Sequence, residues 1–311
     1  MLKENIVEKG REIGFLDIKF TGSEPFTEYL MHLQTLKEKN IYPPFVTEEI
    51  SLRTNPRLIL ASCKTIIAVA MSYKHLMDIA ANNPLPENYG YISPSAWHTD
   101  YHTLLKDSME ELIEFIDEQT EGKYTFKAYV DTGHLSDREV AKRAGLGYIG
   151  KNSCLITAKS GSYVWLGHIL TNLYIKPDTQ MNRQCGDCRN CILACPTKAI
   201  NDDGTIDYNK CLSNVLVQKG DLPKSIINKM GKRIYGCDTC QLVCPKNKVL
   251  KSQGIDEHIE PGWMDLEELD KHSNKTFKEK YGHTAFSWRG KSVLKRNADA
   301  IKDKETQPKG T

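Results

Sequence analysis

Two runs of cysteine carry the clearest chemistry in this chain. The first is Cys185-x-x-Cys188-x-x-Cys191-x-x-x-Cys195-Pro196, and the second is Cys237-x-x-Cys240-x-x-x-Cys244-Pro245, with Cys211 between them. The first spacing is that of bacterial ferredoxins, in which three thiolates bind one [4Fe–4S] cluster and the cysteine before proline binds the other. The two runs together with Cys211 therefore predict two clusters.

Crossed ligation sorts these cysteines into two sets of ligands. The first cluster is assigned Cys185, Cys188, Cys191 and Cys244, and the second is assigned Cys195, Cys211, Cys237 and Cys240. Cys211 thus supplies the ligand that the second run lacks. A pair of zinc sites is the alternative, because C-x-x-C pairs often bind zinc. Tetrahedral zinc does not call for three successive short spacings closed by Cys-Pro, so the pattern favours iron–sulfur clusters.

The composition is typical of a globular chain with a sizeable core, since 40% of the 311 residues are apolar and 26% are charged. The length fits one large domain or two ordinary ones. The N-terminus is charged, and no stretch reaches the roughly 18 apolar residues that a membrane span needs. Cysteines in cluster spacing without a signal peptide indicate reduced thiolates, so we expect a cytoplasmic protein.

The formal charge of +2 hides an asymmetry along the chain. From Cys211 onward, 19 Lys and Arg stand against 13 Asp and Glu, whereas the rest of the chain has 23 against 27. A basic C-terminal third is compatible with a polyanionic partner, because Lys and Arg contacts to phosphate supply much of the affinity for nucleic acid. Charge alone favours the plainer interpretation of a solvated surface.

The cysteine runs follow a long segment in which helical and strand patterns alternate. Residues 82–99 are rich in Pro, Asn, Gly and Ser and are predicted to form a long loop. The pattern of apolar residues predicts helices at 3–13, 25–39 and 100–119, the last capped by Asp100, and strands at 15–20, 65–71 and 124–130.

Two loops follow the strand at 124–130. The first is Asp131-Thr132-Gly133-His134, and Ser136 with Glu139 then forms a predicted capping box for a short helix. The second is the glycine-rich stretch 145–152, followed by a predicted hairpin of strands 154–158 and 163–171. These elements predict an α/β (α+β) sandwich on a mixed sheet.

The predicted domain organisation places the clusters in a separate module. We expect an α/β domain over residues 1–178, a bacterial-type double-cluster ferredoxin-like domain over 179–250, a short helical segment over 251–301 and a disordered tail over 302–311.

Each isolated candidate has a plain structural alternative. Gly145-x-Gly147-x-x-Gly150 matches a dinucleotide fingerprint by letter, but it follows a helix and precedes a strand, so a turn is favoured over a ligand-binding loop. Asp131 stands where catalytic carboxylates often occur, yet a turn-forming Asx residue is the commoner role. His102 could relay protons or serve the start of its helix. Cys63 and Cys154 are expected to pack in the core.

Four motifs give the chain a resemblance to the epoxyqueuosine reductases, cobalamin-dependent iron–sulfur enzymes that complete queuosine at the wobble position of tRNA. The motifs are Val130–Gly133, Arg143–Asn152, Gly161–Gly167 and Gly236–Asn247. The resemblance extends over nearly all of the chain. This family is related to reductive dehalogenases, which share the arrangement of cobalamin with two clusters.

The resemblance implies that the α/β domain binds cobalamin beside the ferredoxin-like module, with Asp131 as the catalytic aspartate. The chain has no Asp-x-His-x-x-Gly motif, so a base-off cobalamin without a histidine ligand is expected. The implied partners are the tRNA anticodon stem-loop and an external electron donor of the flavodoxin or ferredoxin type, with a monomeric protein and no membrane. The resemblance places Arg53, Asp131, Ser162, Ser213, Cys237 and Asp238 near the corrinoid and Gln218, Lys219 and Gly220 on the side facing tRNA.

The implied reaction removes an epoxide oxygen to leave an alkene, which consumes two electrons and two protons. Co(I) is nucleophilic and reducing enough to open the ring, and two clusters supply electrons one at a time. A positioned acid must protonate the departing oxygen. We expect Asp131 to be that acid, with its pKa raised by desolvation beside the corrinoid.

Three departures from the family pattern keep other functions open. His134 replaces a proline, residues 93–102 replace an arginine-rich stretch, and the chain ends soon after Trp288–Asn297 without a helical-repeat extension that some members use on tRNA. One alternative is a cobalamin-dependent reductase of a halogenated compound or a small epoxide. The other is a cobalamin-free electron carrier whose α/β domain only docks a partner.

Overall fold

The fold is taken from a computed structural model of the chain, which describes residues 2–43, 45–46, 49–97, 99–248 and 259–306. The α-helices are α1 (Leu2–Ile13), α2 (Thr27–Glu38), α3 (Ile50–Thr54), α4 (Lys74–Asn82), α5 (Tyr101–Gln119), α6 (Asp137–Ala144), α7 (Asn190–Ala194), α8 (Leu212–Val215), α9 (Lys224–Met230), α10 (Thr239–Leu242), α11 (Pro245–Lys248), α12 (Asn274–Tyr281) and α13 (Lys291–Thr306). The strands are β1 (Asp17–Gly22), β2 (Thr65–Ser72), β3 (Tyr89–Ile92), β4 (Phe126–Tyr129), β5 (Gly147–Ile149), β6 (Leu155–Thr157), β7 (Val164–Thr171), β8 (Arg233–Tyr235) and β9 (Met264–Asp265). Short 3₁₀ turns lie at Pro56–Leu58, Pro94–Ala96, Glu268–Lys271 and Ala285–Arg289.

These elements form two compact units that are not continuous in sequence. The first contains Met1–Tyr73, His102–Cys188 and Pro245–Leu250, and the second contains Lys74–Tyr101, Arg189–Cys244 and Lys251–Thr311. The units follow contacts rather than chain order, whereas the predicted domains were consecutive segments, and those domain bounds stay a prediction. Within the part of the chain that the structure describes, no helix has the length and apolarity to cross a membrane.

The first unit is an α/β sandwich on a four-stranded sheet of order β1-β2-β7-β4. Ile66, Ala68 and Ala70 of β2 pack into one core with buried residues of α2 and α6. On the other face, Gly167, which pairs with Val69, lies against the side chain of Met109 on α5. Helices therefore cover both faces of the sheet, and the predicted α/β sandwich is confirmed.

The prediction of a mixed sheet is wrong for this unit, because all three strand pairings of its four-stranded sheet are antiparallel. The prediction came from the apolar run of β2, in which residues 65–71 are all buried. Such a run is typical of parallel strands because helices usually cover both of their faces. Here an antiparallel strand is covered in the same way, so burial does not reveal strand direction.

Two local predictions in the first unit are also wrong. β6 pairs with β5, whereas β7 pairs with β2 and β4, so residues 154–171 do not form the predicted hairpin beyond a bridge between Thr157 and Gly161. Ser136 precedes α6 but makes no capping hydrogen bond with its side chain. The neighbouring Asp137 carboxylate instead accepts a hydrogen bond from the Asp131 N–H.

The second unit contains a three-stranded sheet of order β8-β3-β9, in which β3 is parallel to β8 and antiparallel to β9. The prediction of one long loop at 82–99 is therefore wrong in part, because β3 and a 3₁₀ turn occupy it. β3 pairs only with strands distant in sequence, and local composition cannot show such pairing. The predicted tail is wrong at its start, since α13 continues to Thr306, and residues 307–311 lie outside the described residues.

Asn297 of α13 ties this helix to the rest of the second unit. Its fully buried amide Nδ2 donates to the carbonyls of Leu216 at 2.8 Å and Ile234 at 2.7 Å. Asn297→Ala should lower the free energy of unfolding by about 2–4 kcal/mol, because two buried carbonyls lose their donor. Denaturant unfolding measures this loss. Asn228→Ala, at an exposed site on α9, is the matched control and should change stability by less than about 0.5 kcal/mol.

Candidate functional site

Asp131 lies in a tight loop directly after β4. Its φ of 52° is in the left-handed region, which Asp and Asn adopt more readily than most residues. The Asp131 N–H donates to Oδ2 of Asp137 at 2.9 Å, and the Thr132 N–H donates to the Val130 carbonyl at 2.5 Å. The loop is therefore a defined turn that presents the Asp131 side chain.

Two other side chains reach this loop. Arg53 of α3 donates from Nη1 to the Gly133 carbonyl at 3.2 Å, and its buried Nε has no partner among the described residues. His102, in the first turn of α5, places Nε2 3.6 Å from Oδ2 of Asp131. The structure thus brings Arg53, His102 and Asp131 together at one loop, and this position favours a relay role for His102 over a purely local one.

The carboxylate of Asp131 is open to solvent. Its side chain is 70% exposed, so the protein alone does not desolvate it. A raised pKa therefore requires a bound molecule that covers the carboxylate. The expected pKa shift stays a prediction about the loaded protein.

Three predicted ligands of the second cluster share one neighbourhood. Burial, together with electrostatic repulsion from Cys240 and Cys237, raises the pKa of the Cys211 thiol to about 11. Burial also raises the pKa of Cys237. Such buried thiols form thiolates only beside compensating positive charge, which cluster iron supplies. This donor set fits the predicted cluster.

The fourth predicted ligand of that cluster, Cys195, accepts a hydrogen bond from the backbone. The Ala199 N–H donates to Sγ of Cys195 at 3.2 Å. Hydrogen bonds to the sulfurs are among the features that set the potential of an iron–sulfur cluster. The assignment of Cys185, Cys188, Cys191 and Cys244 to the first cluster stays a prediction.

Asp238 is a buried support next to Cys237. It is 3% exposed, and its carboxylate accepts hydrogen bonds from the Tyr91 hydroxyl at 2.6 Å and the Gln241 amide at 2.9 Å. Burial raises the pKa of Asp238. Because both oxygens are engaged within the protein, this carboxyl group stabilises the turn that carries Cys237. Its predicted contact with a corrinoid stays a prediction.

The other predicted corrinoid contacts differ in exposure. Ser162 is buried, where its N–H donates to Oδ1 of Asn247 at 2.8 Å and its Oγ accepts from Nδ2 of Asn247 at 2.9 Å. Ser213 is exposed, and Cys237 is partly exposed. Ser162 therefore has a clear structural role in joining the turn before β7 to α11.

The predicted tRNA-facing residues form a loop held by α13. Arg296 donates from Nη1 to the carbonyls of Gln218 at 2.6 Å and Gly220 at 2.5 Å. Lys219 between them is exposed. Hydrogen bonds from Arg296 thus hold the backbone of this loop, and the side chain of Lys219 is an exposed cation.

The glycine-rich loop supports the turn of the first cysteine run, a role that the sequence reasoning missed. Lys151 donates from Nζ to the carbonyls of Gly186 at 2.8 Å and Cys188 at 3.1 Å. A Cβ on Gly150 would lie 3.5 Å from Sγ of Cys185. The two loops are therefore in contact, and Lys151 fixes the backbone that carries Cys185 and Cys188. This supporting role depends on contacts between residues far apart in the sequence. The motif alone resembles a nucleotide-binding loop, so the sequence could not indicate the role.

Lys151 should also tune the first cluster. Lys151→Met removes a positive charge beside the Cys185 turn, and we expect the midpoint potential of one cluster to fall by on the order of 50 mV. A redox titration followed by electron paramagnetic resonance measures the change. Lys159→Met is the matched control, since Lys159 also donates to a backbone carbonyl, that of Leu16, away from the cysteines. Equal potentials in Lys151→Met and wild type would contradict the prediction.

The α/β sandwich, the aspartate loop and the paired cysteine runs define an iron–sulfur protein with a double-cluster domain. The family described as "4Fe-4S double cluster binding domain" matches residues 184–247, which favours clusters over the zinc alternative. The family described as "Epoxyqueuosine reductase QueG, DUF1730" matches residues 53–132. The epoxyqueuosine reductase of Bacillus anthracis is 41% identical over 305 residues, covering 96% of this chain and 79% of that protein. The chain belongs to the epoxyqueuosine reductase family.

Solved structures agree with this assignment. Epoxyqueuosine reductase from Streptococcus thermophilus has a TM-score of 0.88 at 38% identity, covering 96% of this chain and 80% of that one. An epoxyqueuosine reductase bound to a modified tRNA-Tyr stem loop has a TM-score of 0.89 at 36% identity, with the same coverage. A third structure, from Bacillus subtilis, with a TM-score of 0.89 at 35% identity and again the same coverage, has its catalytic aspartate loop swung out of the active site.

A catabolic reductive dehalogenase shares the fold at greater distance. Its TM-score is 0.51 at 15% identity, and the match covers 94% of this chain and 37% of that one. The expected relationship between the two groups is confirmed at the level of the fold.

Proposed function

We propose that this chain reduces epoxyqueuosine to queuosine at the wobble position of tRNA, with Asp131 as the proton donor. The observation that carries the proposal is the Asp131 loop, held by Arg53 and Asp137 and facing His102, in a chain 41% identical to an epoxyqueuosine reductase. The overall change is epoxide plus two electrons and two protons to alkene plus water.

Both cofactors fit the residues present. The partly buried thiols of Cys211 and Cys237 suit a [4Fe–4S] cluster, because burial raises the pKa of both thiols and cluster iron supplies the positive charge that their thiolates need. The unpartnered Nε–H of Arg53 is a buried donor beside the Asp131 loop, which suits an amide or phosphate oxygen of base-off cobalamin. Bound cobalamin would supply a reduced cobalt nucleophile, and the clusters would supply electrons singly.

The residues of the chain then have separate roles. Asp131 would deliver a proton to the departing epoxide oxygen, and His102, 3.6 Å away, would return a proton to Asp131 from solvent. Arg53 would hold the loop through the Gly133 carbonyl while its Nε–H binds the cofactor. A covering cofactor and substrate would desolvate the Asp131 carboxylate and raise its pKa, so that it carries a proton at neutral pH.

The tRNA partner is supported by the Gln218–Gly220 loop and by an exposed cation on it. Many cations of the C-terminal third already pair with carboxylates, since Lys295 and Lys302 contact Asp270 and Lys280 contacts Glu268. Lys219, which stands exposed on a loop fixed by Arg296, is the better candidate for a phosphate contact. We further propose an electron donor of the flavodoxin or ferredoxin type, because the clusters take up electrons singly. We also propose that the protein is a cytoplasmic monomer.

The test uses anaerobically purified protein with both clusters and cobalamin loaded. An anticodon stem-loop carrying epoxyqueuosine is incubated with reductant, and mass spectrometry of the digested RNA should show loss of one oxygen. A halogenated phenol and a small epoxide are tested in parallel. Conversion of either of these with no conversion of the stem-loop would replace the proposal with the non-RNA reductase, and failure to bind cobalamin would favour the electron carrier.

A further inference from the structure

A buried histidine–aspartate pair lies behind the Asp131 loop, outside the residues that the reaction uses. His168 on β7 is 0% exposed, and its Nδ1 lies 2.5 Å from Oδ1 of Asp137, whose side chain is 11% exposed. Asp137 is the first residue of α6. Burial of a carboxylate or an imidazole costs free energy unless the group is hydrogen-bonded. The contact between Asp137 and His168 therefore stabilises both side chains in the core.

The pair is joined directly to the loop. Oδ1 of Asp137 faces His168, while Oδ2 of the same carboxylate accepts the Asp131 N–H at 2.9 Å. One carboxylate therefore bridges the imidazole and the backbone of the proposed proton donor. Charge-assisted hydrogen bonds of this kind are short and about twice as strong as neutral ones.

The ring of His168 also contacts the strand that leads into the loop. It stacks on Tyr129, the last residue of β4, with ring centroids 5.6 Å apart. A Cβ on Gly133 would lie 2.8 Å from Cβ of Tyr129, so the loop folds tightly back over that residue. His168, Tyr129 and Asp137 thus enclose the base of the loop on two sides.

The hydrogen bonds also indicate the tautomer of His168. Nδ1 faces a carboxylate, which accepts only, so Nδ1 carries the proton. Nε2 is buried and has no partner among the described residues, which suits a bare nitrogen better than an N–H. His168 is therefore a fixed donor to Asp137.

We propose that Asp137 and His168 are positioning residues that latch the Asp131 loop. Asp137 holds the Asp131 backbone in its left-handed conformation, and His168 fixes the orientation of the Asp137 carboxylate. Without the latch, the turn could relax toward conformations that direct the Asp131 side chain elsewhere. The inference rests on the proposed role of Asp131, since the latch acts on catalysis only through that residue.

Two substitution sets test the latch in the fully loaded protein. Asp137→Ala and His168→Phe should each lower kcat about 10- to 100-fold and leave KM within about threefold, because loop misplacement affects the proton transfer rather than RNA binding. His168→Asn should recover most of the activity, since its amide N–H can occupy the place of Nδ1–H. A role confined to core packing would predict no such rescue.

Asp178→Ala is the matched control. Asp178 also accepts a backbone N–H, that of Phe20 at 2.9 Å, and its other oxygen also accepts from a side-chain nitrogen, Nζ of Lys3 at 2.7 Å, but it does not touch the Asp131 loop. Asp178→Ala should keep wild-type kcat. Cluster content, cobalamin content and thermal unfolding are measured for every variant.

A spectroscopic measurement tests the latch without turnover. In protein labelled with ¹⁵N-aspartate, the Asp131 amide proton should lie downfield because it bonds to a carboxylate, and it should move upfield in Asp137→Ala and His168→Phe but not in Asp178→Ala. If folded, loaded Asp137→Ala has the kcat of the wild type and an unchanged Asp131 amide signal, the proposed positioning role of Asp137 and His168 is wrong. That result would not affect the proposed function. A wild-type protein that fails to reduce epoxyqueuosine would overturn the proposed function, and the amide shift would still decide the latch.

Discussion

Asp131→Asn is expected to lower the turnover of epoxyqueuosine by about 100- to 10,000-fold, the range that a positioned general acid contributes. Asparagine has nearly the shape of aspartate and tolerates a φ of 52° as well, so the turn should form unchanged. It keeps the N–H that donates to Asp137 and loses only the proton that a carboxylic acid can deliver. The rate of queuosine formation in the stem-loop assay measures the effect.

Glu121→Gln is the matched control for this substitution. Glu121 is another acidic residue with a left-handed backbone, at a φ of 55°, and it lies on an exposed turn after α5. The change removes one negative charge in the same way but should leave turnover unaltered. Full turnover by Asp131→Asn, with cobalamin and both clusters loaded to wild-type levels, would remove Asp131 from its proposed role.

The local pattern of a strand ending on a polar turn made Asp131 a candidate, and the family resemblance implied that it is the catalytic aspartate. The sequence could not predict what holds that turn. Asp137 looked like part of a helix start, and His168 lies in an apolar strand where nothing in its neighbours marks it as special. Their contact joins α6 to β7, and a single sequence contains no signal for pairing between elements so far apart in the chain.

Burial is the second property that the sequence could not supply. Asp238 follows a predicted cluster ligand, and the family resemblance implied that it lies near a corrinoid. The structure shows its carboxylate enclosed by Tyr91 and Gln241. Tyr91 lies in a stretch whose composition indicated a loop, and only the pairing of β3 with β8 brings it to Asp238.

The cysteine pattern was informative because its chemistry depends on short spacing. Three ligands within one tight turn are fixed by local sequence, whatever the rest of the chain does. Cys211 was assigned to the second cluster because the second run lacks one cysteine, and the structure places Cys211 near Cys237 and Cys240. That assignment can be tested directly.

Cys211→Ser is expected to remove one cluster and abolish turnover. Iron should fall from about eight to about four atoms per chain, because a serine hydroxyl is a poor replacement for thiolate at a [4Fe–4S] corner. Cys154→Ser is the matched control, since Cys154 has similar exposure and lies outside both runs. Iron analysis and electron paramagnetic resonance of the reduced proteins should show one cluster in Cys211→Ser and two in the control.

A Cys211→Ser protein that keeps both clusters would mean that another residue completes the ligand set of the second cluster. A wild-type protein that holds zinc in place of iron would support the zinc alternative, which the cysteine spacing disfavoured. Loss of one cluster with loss of turnover would show that electrons must pass through both, because the remaining cluster alone would then fail to support the two-electron reduction.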